Sequence, residues 1–369
     1  MGRFFDLVNA PVRALGDYTS AMPVTQPGQA AAPLLKLNAN ESPYGPSPKT
    51  VAAMRVALEN SHWYPDDQAA ALRNRLADWH GMLPQQVLVG NGTTALLGVI
   101  ARTLLSPGRN AVTSACSFIS YSIVTRLAGA ELAETPLRDG GYDLEAILAA
   151  INQDTRLVFI ANPNNPTGTL VDAPQVDRFL ESAPEHVVVV LDEAYCDYAQ
   201  YFAAVREAEY SRSLEYVRLD RKVVVLRTFS KAHGLAGVRV GYGVGSAELM
   251  TYLARVQDAF AVSSLAQAAA MAALDDEAHT RFAVENNARL AVWLAAEIRN
   301  LGYEVKPTWA NFLCIDVRRD AREVARQLRS EGVLIRPLAA WGAPESVRVT
   351  IGTAEQNQEF LRAFRKVLT

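Results

Sequence analysis

The chain has 369 residues, half of them hydrophobic, with 36 basic and 39 acidic side chains and a formal net charge of −3. That length suits two domains of ordinary size, and the apolar share is enough for a large core. The near-balanced charge offers no basic face to nucleic acid, three widely spaced cysteines make neither a disulfide framework nor a zinc cluster, and the five histidines have no metal-ligand spacing, so no metal is expected.

Residues 1–35 read as an arm rich in Pro, Ala and Gly, in which Tyr18 and the apolar residues imply packing against another part of the protein. Arg3, Asp6 and Arg13 break the apolar stretch that a secretory leader needs. No apolar run is long enough to span a membrane, so a cytoplasmic protein is expected. Between 36 and 262, short β-branched strands (86–89, 110–113, 157–160, 187–191 and 223–226) alternate with helical patterning at 66–80, 94–105, 120–128 and 143–151. This alternation predicts an α/β domain whose mostly parallel sheet is covered on both faces. From 263 to 369 the texture changes: helices at 263–274, 285–301, 320–331 and 355–367 surround strands at 311–317, 333–335 and 347–351. A smaller α+β domain is expected there, completed by the N-terminal arm.

The chemistry-bearing residues fall at strand ends, where open α/β sheets place their sites. The strand 157–160 runs into Asn162-Pro-Asn-Asn-Pro-Thr-Gly168, the strand 187–191 into Asp192-Glu-Ala-Tyr195, and the strand 223–226 into Thr228-Phe-Ser-Lys231. Together they offer an amide, a carboxylate and an amine. A pyridoxal phosphate cofactor needs such a set: a lysine for the Schiff base and an acid beside the ring nitrogen. Lys231 is the candidate amine. Asp192 is either the ring-nitrogen partner, favouring its protonated form, or a loop or helix-capping aspartate. Tyr195 and Asn165 can donate to the ring 3-oxygen. Gly90-Asn-Gly-Thr-Thr94 turns from a strand into a helix, whose N-terminus suits an anion such as the cofactor phosphate. Ser230 and the forked guanidinium of Arg239 can complete that cup. Phe118 either stacks on the cofactor ring or fills the core. Arg336 and Arg348, set among apolar strand neighbours, are costly to bury without an anion or an internal salt bridge.

Beyond these local arguments, the sequence resembles the histidinol-phosphate aminotransferase group of the fold-type I pyridoxal phosphate aminotransferases. The residues that carry the likeness are Leu37-Asn-Ala-Asn-Glu-Ser-Pro-Tyr-Gly-Pro46, Trp63-Tyr-Pro-Asp66, Gly90-Asn-Gly92, the turns at 162–168 and 192–195, the run 230–242, Ser264-Leu-Ala-Gln-Ala268 and Val347-Arg-Val-Thr-Ile-Gly352. They span nearly the whole chain. The resemblance implies an aspartate aminotransferase-like fold with a seven-stranded sheet in the large domain. It implies Lys231 as the Schiff-base residue, Asp192 at the pyridinium, Asn165 and Tyr195 at the 3-oxygen, and Phe118 on the ring face. Gly92, Thr93, Thr94, Ser230 and Arg239 match phosphate-holding positions. Tyr64 matches a tyrosine that reaches the neighbouring subunit's cofactor phosphate, which implies a homodimer. Arg348 matches the arginine that takes the donor carboxylate, while Tyr18, Asn40 and Arg336 match substrate positions, Arg336 meeting the substrate phosphate.

The sequence departs from the group at three places. Thr94-Ala95 stands where an acidic residue is usual, Cys116-Ser-Phe118 replaces a Pro-Thr-aromatic run, and His233 stands where an aromatic is common. The expected activity is transamination between glutamate/2-oxoglutarate and histidinol phosphate in histidine biosynthesis. The alternatives are an aromatic amino acid aminotransferase, a threonine-phosphate decarboxylase, or a non-catalytic pyridoxal phosphate-binding domain of a regulator, for which the arm is too short to hold a DNA-binding domain.

Overall fold

A computed structural model describes residues 4–13, 15 and 34–368; Tyr18 lies outside the described residues. The described chain past the arm opens with the short strand β1 (Leu35–Lys36). The strands β2 (Val87–Gly90), β3 (Asn110–Ser114), β4 (Glu131–Thr135), β5 (Thr155–Ala161), β6 (Val188–Asp192), β7 (Val223–Thr228) and β8 (Gly241–Gly245) follow. These seven form one sheet in the order β2-β8-β7-β6-β5-β3-β4. Strand β8 runs antiparallel to both neighbours, and every other pair is parallel. Every residue of β7 is buried, on both alternating faces, which requires cover on each side of the sheet.

Register decides where the functional turns meet. Ala161 pairs with Asp192, and Asp192 with Leu226, so the carboxyl ends of β5, β6 and β7 lie side by side. The loops that follow therefore open at one edge. Helix starts are marked by side chains that take up free amide protons. Ser47 accepts from the Thr50 amide at the start of Pro48–Leu58, and Asp172 forms a capping box with Gln175 at the start of Ala173–Ser182.

The second unit holds β9 (Glu304–Val305), β10 (Phe312–Asp316), β11 (Val333–Leu334), β12 (Arg336–Pro337) and β13 (Ser346–Thr350). An antiparallel sheet runs β12-β13-β10-β9, and β1 pairs in parallel with β11. Leu313, Ile315, Val347 and Val349 from this sheet share a core with Leu294 and Ile298 of the helix Glu277–Asn300 and with Phe360 and Phe364 of the helix Ala354–Leu368. Leu37 joins that core, and its carbonyl accepts the Thr350 amide at 2.9 Å. The chain from 34 to 37 is thus stitched to the second unit before it enters the cleft at Asn38–Asn40. The helix Ser264–Leu274 buries Ala266, Ala269, Ala270 and Ala273 in the core of the seven-stranded sheet instead. No helix among the described residues is long and apolar enough to cross a membrane.

Candidate active site

Beyond the ends of β5, β6 and β7 lies a cavity of about 280 Å³. Its walls include Asn40, Thr93, Thr94, Phe118, Asn165, Asp192, Tyr195, Ser230, Lys231, Arg239, Arg336 and Arg348. Residues far apart in sequence, singled out for their chemistry, are therefore brought together in one place. A larger and more open cleft of about 670 Å³ lies on the far side of Thr228, around His80, Arg227 and Tyr242. It holds neither the lysine nor the aspartate, so the smaller cavity is where the chemistry is concentrated.

Lys231 follows β7 in a tight turn, with the Gly234 amide bonded to the Lys231 carbonyl at 3.1 Å. Gly234 has φ +70°, and any Cβ there would collide with the Gly45 carbonyl, so the turn demands glycine. The Lys231 Nζ lies 3.4 Å from the Ala39 carbonyl and 5.6 Å from the centre of the Tyr195 ring. Burial strips water from this ammonium, and the Arg348 charge adds to the effect, lowering the pKa to about 8.

Asp192 ends β6 and is only 4% exposed. Its carboxylate accepts the Tyr121 hydroxyl at 3.0 Å and the Ala194 amide at 3.2 Å. Burial raises its pKa to about 6, against the opposing pull of those two donors. The Ala194 contact is local, and the side chain also lines the cavity. Tyr121 lies flat on Phe159, with centroids 4.8 Å apart, and meets Phe118 edge-on at 5.6 Å. Phe118 faces the cavity and also packs against the core.

On the opposite wall Asn40 Nδ2 donates to the Tyr195 hydroxyl at 2.8 Å. Asn40 sits at φ +56° and is fixed by Thr350, whose Oγ1 accepts its amide at 2.9 Å, and by Asn311, which donates to its carbonyl at 3.0 Å. Desolvation raises the pKa of the Tyr195 hydroxyl, so it stays protonated and able to donate.

An anion cradle is built at the end of β2. Gly92 precedes the helix Thr93–Leu104 with φ +79° and no side-chain cap, so the first-turn amides are left for an outside acceptor. An ideal Cβ on Gly92 would lie 2.5 Å from Arg239 Nη2; the missing side chain is what lets the guanidinium reach the helix terminus. Arg239 Nη1 reaches Ser230 Oγ at 3.4 Å and the Ala236 carbonyl at 3.0 Å. Helix dipole, amides, hydroxyl and guanidinium converge, which fits a phosphate monoester.

Arg336 and Arg348 stand directly opposite each other on β12 and β13. Arg348 is 6% exposed and donates to Asn165 Oδ1 at 2.5 Å and to the Asn38 carbonyl at 3.0 Å. Arg336 has its guanidinium 6.0 Å from the Trp341 ring centre. Tyr64 lies apart from these residues: it is 81% exposed, stacked on Phe260 at 4.4 Å, and absent from its own chain's cavity wall. Sequence reasoning missed Tyr121, Trp341, Asn38, Asn311 and Thr350. Their contacts depend on loop paths and strand register: Asn38 and Thr350 lie inside the motifs quoted above without a part of their own, and Tyr121 and Trp341 stand as aromatics near Phe118 and between the two arginine strands.

A lysine and a buried carboxylate on adjacent parallel strand ends, facing an anion cradle, define an aminotransferase-type site. The chain belongs to the class I and II aminotransferase family, whose model matches residues 32–364. It is 43% identical to histidinol-phosphate aminotransferase 2 of Pseudomonas fluorescens, covering 100% of this chain and 99% of that protein. Its fold is similar to the crystal structure of histidinol-phosphate aminotransferase from Sinorhizobium meliloti in complex with pyridoxal-5'-phosphate, with a TM-score of 0.83, 30% identity and 90% of each chain covered. A double mutant of aspartate aminotransferase from Thermus thermophilus shares the fold at a TM-score of 0.79 and 25% identity, covering 91% of this chain and 92% of that one.

Proposed function

We propose that this aminotransferase exchanges an amino group between histidinol phosphate and 2-oxoglutarate, giving imidazole acetol phosphate and glutamate, with pyridoxal 5'-phosphate as cofactor. The observation that carries the reading is the pair Arg336 and Arg348, cross-strand neighbours that both line the cavity of Lys231 and Asp192. A forked guanidinium holds an oxyanion through paired charged hydrogen bonds, and two of them face this cavity. The phosphate of histidinol phosphate suits Arg336 and the carboxylate of glutamate suits Arg348. The full-length relative named for histidinol phosphate supports the same substrate.

The cofactor, when bound, draws electrons from the substrate Cα toward its ring nitrogen. The cradle of Gly92, Thr93, Thr94, Ser230 and Arg239 would hold its phosphate, and Phe118 would cover its ring. Asp192, ionised above about pH 6, would keep a proton on the ring nitrogen. Tyr195 and Asn165 would donate to the 3-oxygen. Lys231, with a pKa near 8, exists partly as free amine close to neutral pH and can carry a proton to and from the substrate Cα. Asn165 and the Asn38 carbonyl hold the Arg348 guanidinium in one orientation, so the donor carboxylate meets a fixed fork. Tyr64 would serve the site of a second copy of this chain, and we place the resulting homodimer in the cytoplasm. We also propose an arm at 1–35, a large domain at 36–262 and a small domain at 263–369, whose first helix, Ser264–Leu274, packs against the core of the large one.

The test is a single-turnover spectrum of the cofactor-loaded enzyme mixed separately with histidinol phosphate, glutamate and phenylalanine. Histidinol phosphate and glutamate are expected to bleach the cofactor's visible band rapidly, and phenylalanine far more slowly. A fast response to phenylalanine with none to histidinol phosphate would move the assignment to an aromatic aminotransferase, and release of carbon dioxide from threonine phosphate to a decarboxylase. Lys231→Ala should abolish steady-state turnover, a loss of at least about a thousandfold, since it removes both the cofactor's anchor and the proton carrier.

A further inference from the structure

Between β12 and β13, each carrying one arginine of the site, residues 338–345 form a connecting loop. The loop is fixed by its own backbone: Leu338 N bonds Ser346 O at 2.9 Å, Trp341 N bonds Leu338 O at 2.9 Å, and Ala343 N bonds Leu338 O at 3.2 Å. Gly342, at φ +79°, ends the turn. This geometry returns Trp341 to the cavity wall beside Arg336. The indole face lies against the Arg336 guanidinium, which supports the cation and leaves its N–H edge for a ligand. The indole Nε1 is buried and has no acceptor among the described residues. A buried donor without an acceptor is costly, and an indole nitrogen can only donate.

We propose that Trp341 is a specificity-determining residue of the substrate-phosphate subsite, its Nε1–H donating to a phosphoryl oxygen that Arg336 leaves over. The inference rests on the proposed phosphate-ester substrate and deepens it. The two anions differ in how many oxygens they present. A guanidinium fork takes two oxygens. A carboxylate has only two, both already held by the fork, so the indole would have to share an oxygen with the guanidinium. A phosphate monoester has three terminal oxygens, and the third meets the indole N–H. Arg336 alone attracts either anion; Arg336 with Trp341 favours the phosphate ester. The preference separates histidinol phosphate from amino acids whose recognition depends on a carboxylate.

The experiment compares the holoenzyme with Trp341→Phe, which keeps an aromatic face for Arg336 and removes the N–H. KM for histidinol phosphate is expected to rise roughly tenfold or more, the range for a hydrogen bond to a charged group. The rate and half-saturation of the glutamate half-reaction should stay within about twofold. Inorganic phosphate, as a competitive inhibitor against histidinol phosphate, should weaken in parallel. An unchanged KM for histidinol phosphate overturns the inference, and so does an equal loss with glutamate, which would assign Trp341 a merely structural part. A wild-type enzyme that ignores histidinol phosphate sinks the proposed function itself. A wild-type enzyme that uses it, beside an unaffected Trp341→Phe, sinks only this step.

Discussion

Asp192 is the residue on which folding and chemistry pull in opposite directions. Its ordinary pKa of 3.8 is raised to about 6 by burial. A carboxyl with a raised folded pKa favours folding in its protonated form. The stability it confers is present below 3.8 and is lost as pH rises through 6. The interval is worth at most ~3 kcal/mol. Apo Asp192→Asn should therefore gain on the apo wild type between pH 5 and pH 8. Only about one unit of that interval lies above pH 5, so the gain is ~1–2 kcal/mol, and the hydrogen bond that the asparagine amide loses shifts both pH values alike. Melting curves of both apo proteins at the two pH values check this, and a constant difference between them contradicts it. The same variant should lose most of its turnover, because a neutral amide does not hold a proton on the cofactor ring. Tyr121→Phe works the other way: with its strongest donor gone, the Asp192 pKa should climb further. The acid limb of the pH–rate profile should then move to higher pH.

Among the elements, β8 best shows what the sequence concealed. Its residues Gly241-Tyr-Gly-Val-Gly245 have glycine on every other position, which weakens any strand signal. Backbone on both sides leaves little room for a side chain at Gly241, and at Gly245 the Met250 side chain would have to move. A Cβ on Gly241 would lie 3.1 Å from the Thr93 amide nitrogen, and one on Gly245 would lie 2.6 Å from the Met250 methyl. Strand β4 escaped as well, because it is a partly exposed edge strand with Glu131 and Glu134 in it. The buried β-branched strands β5, β6 and β7 were plain, as were the turns that follow them, since both signals are local. The sequence pattern places the start of the long helix at 285, but it begins at Glu277. Its polar first turns are anchored by tertiary bonds, His279 to the Gly45 carbonyl and Thr280 to His233. Lys231, Asp192 and the anion turn were legible for the same local reason, whereas Trp341 and Asn38 become meaningful only once β12, β13 and β1 are in register. The turn after β2 carries its own prediction. Gly92→Ala adds a Cβ at φ +79°, where only glycine is comfortable, and drives it into Arg239. Cofactor affinity should fall about tenfold or more, with ~1–3 kcal/mol of stability lost, read by cofactor titration and melting of the apo form. Unchanged affinity would mean that Arg239 does not serve the cradle.

At the scale of the whole molecule, the cavity draws on both packed units: Lys231 and Asp192 come from the seven-stranded sheet, and Arg336 and Arg348 come from the antiparallel one. The strap 34–40 joins them, with Leu37 in the second core and Asn40 on Tyr195. Tyr64 stays outside this assembly, exposed and stacked on Phe260 beside exposed Trp63. An aromatic patch of this kind on a chain whose own site does not use it fits an isologous contact, in which each copy gives its tyrosine to the other. Subunit mixing tests the exchange without relying on affinity alone. Lys231→Ala should be inactive by itself, and Tyr64→Ala should retain cofactor poorly. A mixed dimer pairs the intact Lys231 of the Tyr64→Ala protomer with the intact Tyr64 of the Lys231→Ala protomer, so one of its two sites is complete. Random exchange makes half the dimers mixed, so about a quarter of wild-type activity should return at limiting cofactor. If native mass spectrometry shows mixed dimers and no activity returns, each site uses its own tyrosine and the shared-site arrangement is wrong.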